Sequence, residues 1–346
     1  MMAATMKPAT PLLSVFIPAY NGEKYVREAI ESVLDNGYAD LELVVVDDGS
    51  TDGTVEVVES IRHPALRLYR NATNLGVVVT RQQSVPLLQG RYMALLDQDD
   101  IAMAGRFEKQ VARLEAADGP DIVGGAVEFF GDEEGPCFFP ASDAKIKAGL
   151  LFFVCPLAHP TICMKLAPLR EGRIAYTTQT GVGADYALWV DAMRAGMRFE
   201  NLPVVLTRYR RHGEAMTRKL SAECAASGRA VRRKVVDIFF PALDAGERDA
   251  LVDALSANLG GGERWLAGIY ALSHAAMLTQ DIAGIDAGWL LKSLENIAAG
   301  MIERALKLGN ADNETLEMMT ETSAHFERWR AASDGALDAR IMALVK

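Results

Sequence analysis

Residues 97–100 read Asp97-Gln98-Asp99-Asp100 and place three carboxylates within four positions. They follow an apolar run, Tyr92-Met93-Ala94-Leu95-Leu96, that has the character of a buried strand. Like charges this close repel, and the repulsion must be offset by water, by neighbouring cations or by a bound metal ion. In an α/β sheet the carboxyl end of a strand is also where ligands bind. Asp99 is therefore a candidate ligand for a divalent cation that in turn holds a diphosphate. The plain alternative is a solvated acidic turn.

The elements that would position this run can be followed along the chain. Leu12 to Ile17 is a β-rich run closed by Pro18, and Asn21 is placed to cap the helix that carries Val26, Ala29, Ile30, Val33 and Leu34 at helical spacing. Gly37 is the expected stop. Leu41 to Val46, apolar except for Glu42, is a strand of the kind buried on both faces of a parallel sheet. It ends in Asp47-Asp48-Gly49-Ser50-Thr51-Asp52-Gly53, a turn leading into a helix with Val55, Val58 and Ile61. Strand, helix, strand, helix implies a right-handed parallel crossover. Leu66 to Tyr69 is a third strand, 71–76 a loop, Val77 to Leu88 a helix carrying Arg81, and Tyr92 to Leu96 the fourth strand. Beyond it come an amphipathic helix (Phe107, Val111, Leu114), a strand from Ile122 to Phe130 and a flexible acidic loop over 131–140. A short strand over 161–164 follows, then a glycine-containing loop at 181–183, a helix from Ala184 to Ala195 stopped by Gly196, and a strand from Phe199 to Tyr209 that leads to Arg210-Arg211-His212-Gly213.

Near residue 218 the character changes to Ala, Leu, Glu and Arg without strand patterning. Helices are expected over 222–240, 245–258, 263–279, 285–306 and 312–345. The domain reading is 1–218 for an α/β unit and 219–346 for an all-helical C-terminal region. The formal net charge of −10 over 346 residues argues against a nucleic-acid binder. The cysteines at 137, 155, 163 and 224 have no metal-ligand spacing and read as reduced thiols. No signal peptide is visible, and the apolar run from Leu150 to Ala158 is interrupted by Pro156, well short of the ~20 residues of a membrane span. The expected location is cytoplasmic, at most peripheral at the inner face of a membrane.

Three stretches together resemble the family 2 glycosyltransferases, which have the GT-A fold: Ser14-Val15-Phe16-Ile17-Pro18-Ala19-Tyr20-Asn21-Gly22, Val44-Val45-Val46-Asp47-Asp48-Gly49-Ser50-Thr51-Asp52, and Leu95-Leu96-Asp97-Gln98-Asp99-Asp100. Their order and their placement at three strand ends make the combination specific, and it covers about residues 12–215. The resemblance implies a Rossmann-like, mostly parallel sheet flanked by helices. It implies an inverting, metal-dependent enzyme that moves a sugar from a nucleotide diphosphate, with UDP favoured, to an acceptor hydroxyl in cell-surface polysaccharide or glycoconjugate synthesis. By the resemblance, the Pro18-Ala19-Tyr20 backbone and Asp48 hold base and ribose, and Arg81, after Asn74-Leu75-Gly76, reaches the nucleotide or the acid run. Asp97 lies near the ribose and Asp99 meets Mn²⁺ or Mg²⁺, with His212 as a second candidate ligand. Asp100 caps the next helix or pairs with Arg106. Ala184-Asp185-Tyr186-Ala187-Leu188-Trp189 resembles the family's acidic helix start, which makes Asp185 the catalytic base. The alternative for Asp185 is an acid that merely favours the helix dipole.

The sequence departs from the family's usual pattern at Ala184, where a second acid is common, and at Gln82, where Asn is common. These two positions keep a second reading open: a degenerate member that binds nucleotide or glycan without transfer. A nucleotidyltransferase is disfavoured, because Pro18-Ala19-Tyr20-Asn21-Gly22 is not the glycine-rich basic loop such enzymes carry after the first strand. The expected partners are a nucleotide-sugar donor and a glycan, lipid-linked or other hydroxyl acceptor. The C-terminal helices, with Arg229, Arg232, Arg233 and Lys234 near Phe239-Phe240, are candidates for a homodimer or an anionic membrane contact, against a simple solvated face.

Overall fold

The computed structural model describes residues 12–151, 155–213, 221–256 and 264–278, with isolated positions between 282 and 297. The chain forms two compact units, Met1–Ser142 with Pro156–Leu220, and Asp143–Cys155 with Ser221–Lys346.

The first unit is built on one sheet. Its strands are β1 (Leu13–Ala19), β2 (Leu41–Asp47), β3 (Leu66–Arg70), β4 (Tyr92–Leu95), β5 (Ile101–Ala102), β6 (Ile122–Gly131), β7 (Gly135–Cys137), β8 (Cys163–Lys165) and β9 (Phe199–Arg211). They lie in the order β3-β2-β1-β4-β8-β6-β9-β5, with β7 added beside β6. The pairs β1–β2, β1–β4, β2–β3 and β6–β9 are parallel, and β4–β8, β6–β8, β5–β9 and β6–β7 antiparallel. This is the expected α/β fold.

Register decides what meets at the carboxyl edge. Ala19 lies opposite Asp47, and Phe16 opposite Leu95, so β1, β2 and β4 deliver Tyr20, Asp48 and Asp97 to one edge. β8 runs against β4, with Tyr92 opposite Lys165, so the His159–Thr161 turn that precedes β8 lies at that edge too. β9 is parallel to β6 and antiparallel to neither β4 nor its parallel partners, and its end brings Arg210 and Arg211 to the same side. Alternate residues of β1 and β2 (Leu13, Val15, Ile17, Leu43, Val45) pack with Val26, Ala29, Ile30 and Val33 of α1 (Val26–Leu34) and with Phe107, Val111 and Leu114 of α4 (Arg106–Glu115). The intervening residues Phe16, Val44 and Val46 are buried as well. Both faces are covered, as a parallel sheet requires.

Several boundaries differ from the sequence reading for identifiable reasons. Asn21 caps no helix: it adopts a left-handed φ of 47°, and α1 begins at Val26 after turns closed on the Gly22 carbonyl. The helix carrying Arg81, α3 (Val77–Ser84), gives way to a 3-10 turn at Val85–Leu87, because Pro86 has no N–H to continue it. Between β2 and β3 lies α2 (Thr54–Ser60). The acidic 131–140 segment contains β7, which folds back with Phe129 opposite Gly135.

In the second unit, α5 (Asp143–Leu151) belongs with the C-terminal helices α8 (Ser221–Phe239), α9 (Ala245–Leu255) and α10 (Arg264–Leu278). Between them in sequence, in the first unit, are α6 (Ala167–Arg170) and α7 (Ala184–Arg194). Asp244 and Glu247 form a complete capping box on α9. Arg229 pairs with Asp253, and Arg233 with Asp249 and Asp237, so these two basic residues of α8 are engaged by acids of their own unit. The helices expected over 285–306 and 312–345 lie almost wholly outside the described residues. Among the described residues no helix is long and apolar enough to cross a membrane.

Candidate active site

Asp48 follows β2 and is almost fully buried, at 3% exposure. Its carboxylate accepts from Asn71 Nδ2 (2.8 Å), Leu75 N (3.0 Å) and Gly76 N (2.8 Å). It thus brackets the 71–76 loop from inside. Gly49 beside it has φ +74°, and a Cβ there would meet the Thr73 backbone at 2.5 Å, so only glycine permits this approach. The bracketed loop exposes Leu75, and Tyr20, next to the Ala19 carbonyl that accepts from Asp48 N, is 42% exposed.

The Tyr20 peptide, expected to take part in nucleotide binding with Pro18 and Ala19, is bonded at both ends to a side chain of the acid run. Tyr20 N donates to Gln98 Oε1 (2.8 Å), and Gln98 Nε2 donates to the Tyr20 carbonyl (3.0 Å). The Ala19 carbonyl accepts from Asp48 N at 2.7 Å. Pro18 lies within β1, opposite Val46. Gln98 was not singled out by the sequence reading, although it stands in the middle of the acid run. Its amide clasps the β1 end to the β4 end. Gly22 makes room for it, since a Cβ there would come within 2.2 Å of Gln98 Oε1. Asn21 completes the clasp by joining the β1 and β2 loops: its N–H donates to Ser50 Oγ (2.9 Å) and its Oδ1 accepts from Thr51 N (2.9 Å).

Each acid of the 97–100 run has its own counter-group. Asp97 pairs with Arg81 Nη2 at 3.2 Å, and Arg81 is 8% exposed. His212 Nε2 lies 2.8 Å from Asp99 Oδ2, and its ring packs on Tyr25 with centroids 5.0 Å apart. Asp100 neither caps α4 nor bonds to Arg106, contrary to expectation. Gly105 is the N-cap, and Asp100 Oδ1 accepts from Arg210 N at 2.9 Å. Arg210, also missed in the sequence although it stands two residues before His212, donates Nε to the Asp99 carbonyl (2.9 Å) and stacks over Tyr25 and Phe130. Burial raises the Asp97 carboxyl above its ordinary range; Arg81 opposes this, and the charges of Asp99 and Asp185 add to it. Asp100 is raised further, by burial and then by Asp97 and Asp99.

Asp185 sits in the first turn of α7 and accepts from Tyr186 N at 2.7 Å. Burial raises its pKa, while Arg81 pulls it back down. Around it lies a buried polar layer. His159 Nε2 is 3.2 Å from Tyr176 OH, and the His159 ring packs on Trp189 with centroids 5.9 Å apart. Burial, with help from Arg81, holds the His159 pKa well below the usual range, so the ring is neutral. Arg81 therefore acts on Asp97, Asp185 and His159 alike and is the cation common to both halves of the site. A cavity of about 340 Å³ between the end of α3 and Leu169–Tyr176 borders this layer through Tyr176.

The sequence profile of glycosyl transferase family 2 matches residues 14–171. The putative glycosyltransferase EpsE of Bacillus subtilis is 30% identical over 213 residues, covering 60% of this chain and 76% of its own. The chain belongs to glycosyl transferase family 2. A second relative of this glycosyltransferase, WfaP of Escherichia coli, is 24% identical over 207 residues, 60% of this chain and 80% of that one. WfaP is named a UDP-Glc:α-D-GlcNAc-diphosphoundecaprenol β-1,3-glucosyltransferase. The fold is also that of residues 1–349 of S. aureus TarS, solved in complex with UDP, at a TM-score of 0.55 and 17% identity over 96% of this chain and 90% of that one.

A divalent cation fits the residues present in one particular way. Among the described residues no group of three or more His, Cys, Asp or Glu side chains is placed to hold a metal ion. Asp99 and His212 nevertheless bring a carboxylate oxygen and an imidazole nitrogen within 2.8 Å of each other. A Mg²⁺ or Mn²⁺ ion held by one or two side chains, with substrate phosphate and water completing its shell, needs no more than this from the protein.

Proposed function

We propose that this glycosyltransferase moves a sugar from UDP to an acceptor hydroxyl with inversion, and that Asp185 is the base. The observation that carries the reading is the placement of Asp185. It stands at a helix start, with its pKa raised by burial, in the field of the same Arg81 that pairs with Asp97. A carboxylate whose pKa is raised by burial is a better proton acceptor than an ordinary one. An acceptor hydroxyl that gives its proton to Asp185 can attack the anomeric carbon from the side opposite the leaving diphosphate, and a single displacement of this kind inverts the centre.

The donor half has a matching division of labour. Tyr20 and Leu75, both exposed large side chains near Asp48, are the walls for the base. Asp48 orders the loop that carries Leu75. Asp97 and Arg81 lie toward the ribose and diphosphate. Asp99 and His212 would hold Mn²⁺ or Mg²⁺, which when bound supplies positive charge to the leaving diphosphate. UDP is favoured by the names of WfaP and of the TarS complex. WfaP's name also makes a sugar on a lipid diphosphate the first acceptor to try, consistent with polysaccharide synthesis at the inner face of a membrane. Residues 1–218 would carry the catalysis, and 219–346 an accessory role.

The degenerate, non-transferring alternative rests on Ala184 and Gln82, and of these Ala184 has a structural consequence. That side chain is 1% exposed, so the position of the usual second acid is packed over. A panel of uridine, guanosine and thymidine sugars, with and without Mn²⁺, read by thermal stabilisation and nucleotide release, decides between them. Transfer by the parent protein excludes the degenerate reading; no response to any of these sugars sinks the proposal.

A further inference from the structure

Arg106 stands where a basic residue is least expected. It opens α4, where the helix dipole disfavours a cation, and it is 0% exposed. Burial lowers its pKa only to about 10, so it is charged at neutral pH. Among the described residues it makes no ion pair. Its donors all go to neutral oxygens: Nε to Gln110 Oε1 (3.0 Å), Nη1 to Thr207 Oγ1 (2.9 Å), and Nη2 to the carbonyls of Leu95 (2.8 Å) and Ile162 (3.5 Å). Gln110, one turn along α4, extends the network through Nε2 to the carbonyls of Val123 (2.9 Å) and Thr161 (2.7 Å). Thr207 Oγ donates in turn to the Pro160 carbonyl at 3.2 Å.

For stability alone an apolar side chain would serve as well or better, because burying a charge without a partner is costly. The bonds show what the charge is attached to instead. Leu95 is followed by Asp97 and Asp99. Pro160, Thr161 and Ile162 adjoin His159, and Thr207 precedes Arg210 and His212. Asp100, whose Oδ2 has no partner among the described residues, lies close enough for its charge and that of Arg106 to act on each other without a direct bond. We infer that Arg106 is a positioning residue: its fork sets the acid run, the His159 turn and the His212 end of β9 in one register, so that Asp99 and His212 can act on the same ligand. A planar fork with fixed donor directions suits this task, and a flexible lysine does not.

The inference rests on the proposed roles of Asp99 and His212, and its test uses Mn²⁺ and UDP as probes, followed by titration calorimetry, with UDP release and melting temperature measured beside it. Thr207→Val removes one arm of the fork at nearly constant volume. Arg106→Lys keeps the charge and loses the geometry. Both should weaken Mn²⁺-dependent UDP binding by about 10- to 100-fold, the range for residues that orient ligands rather than touch them. Binding of UDP without metal should change far less, and Thr207→Val should melt near the parent temperature. Unaltered Mn²⁺-dependent binding and kcat/KM in both variants would overturn the inference, leaving Arg106 a core residue only. Failure of Thr207→Val to fold would overturn it as well, by making the network a folding element. If the parent binds no UDP with Mn²⁺, the functional reading fails first, and this inference with it.

Discussion

The two halves of the site are built on opposite principles. At the ends of β1 and β2 almost every polar group is already answered from within: Asp48 by three donors, Gln98 by both ends of the Tyr20 peptide, Asn21 by Ser50 and Thr51. Asp52 is likewise bound by Thr54 and by Glu23 N, and these hydrogen bonds hold its pKa below the ordinary value against burial. Around α7 the reverse holds. His159 Nδ1, Thr180 Oγ1, Trp189 Nε1 and, facing them from α3, Arg81 Nε are buried without partners among the described residues. The first half is a finished surface that fixes geometry before a ligand arrives. The second keeps polar groups in reserve, at a cost in stability of the kind that recurs at functional sites.

The sharpest way to break this contrast is to remove the proposed base. Asp185→Asn should lower kcat by about a thousandfold, within the usual range for a general base, while UDP binding measured by calorimetry stays at the parent value. Equal loss of binding would move Asp185 to the donor half. Next in size is the Asp99–His212 pair. Asp99→Asn should weaken Mn²⁺-dependent UDP binding by about a hundredfold and His212→Asn by about tenfold, whereas chelation of the metal should bring all three proteins to the same residual affinity. A parent enzyme indifferent to chelation would leave that pair with a hydrogen-bonding role alone. A smaller change tests the finished surface. Asp48→Asn cannot accept all three of its bonds through one oxygen, so the 71–76 loop should loosen at a cost of about 1.5–3 kcal/mol. The expected signature is a lower melting temperature and a raised donor KM with kcat little changed. A fall in kcat with KM unmoved would show that Asp48 serves the chemistry and not the loop.

The contrast also explains which parts of the molecule were legible in the sequence. Strand ends and their acids were, because the apolar runs over 43–46 and 92–96 announce buried parallel strands, and Asp47-Asp48 and Asp97 stand at their ends. The pairing of Asp99 with His212 could be anticipated only through the family resemblance, as they stand 113 positions apart. The Gln98 clasp spans 78 positions and carries no periodic signal at either end. Charge and nearness in sequence suggest Arg106 as a partner for Asp100. The fold instead turns its fork toward four neutral oxygens, one of them 101 positions away. The short strands β5 and β7, of two and three residues, are too brief to show alternation, and they form because β9 and β6 offer them an edge. The residue type of Asn21 suggests a cap, but its side chain is spent on the neighbouring loop.

The smallest effect expected concerns Asp185 again, and it separates a base from an acid that simply favours the helix dipole. The two readings predict opposite signs for stability. Burial raises the Asp185 pKa above 3.8 in the folded protein. Between 3.8 and the folded value the unfolded chain has released this proton while the folded chain retains it. Stability therefore falls as pH rises through that window, and the deficit persists at neutral pH. Asparagine does not titrate, so Asp185→Asn should gain on the parent as pH is raised from 4 to 7, by a few degrees in melting temperature at most. His159 has the opposite linkage: its folded pKa lies below 6.5, so its contribution is present at neutral pH and is lost on acidification below 6.5. Because His159 is the same in both proteins, it cancels in the difference. A dipole-favouring carboxylate would have a depressed pKa, and its removal would make the variant the less stable protein at pH 7. The sign of that difference, measured without nucleotide or metal, shows whether the charge at the start of α7 is held for folding or against it.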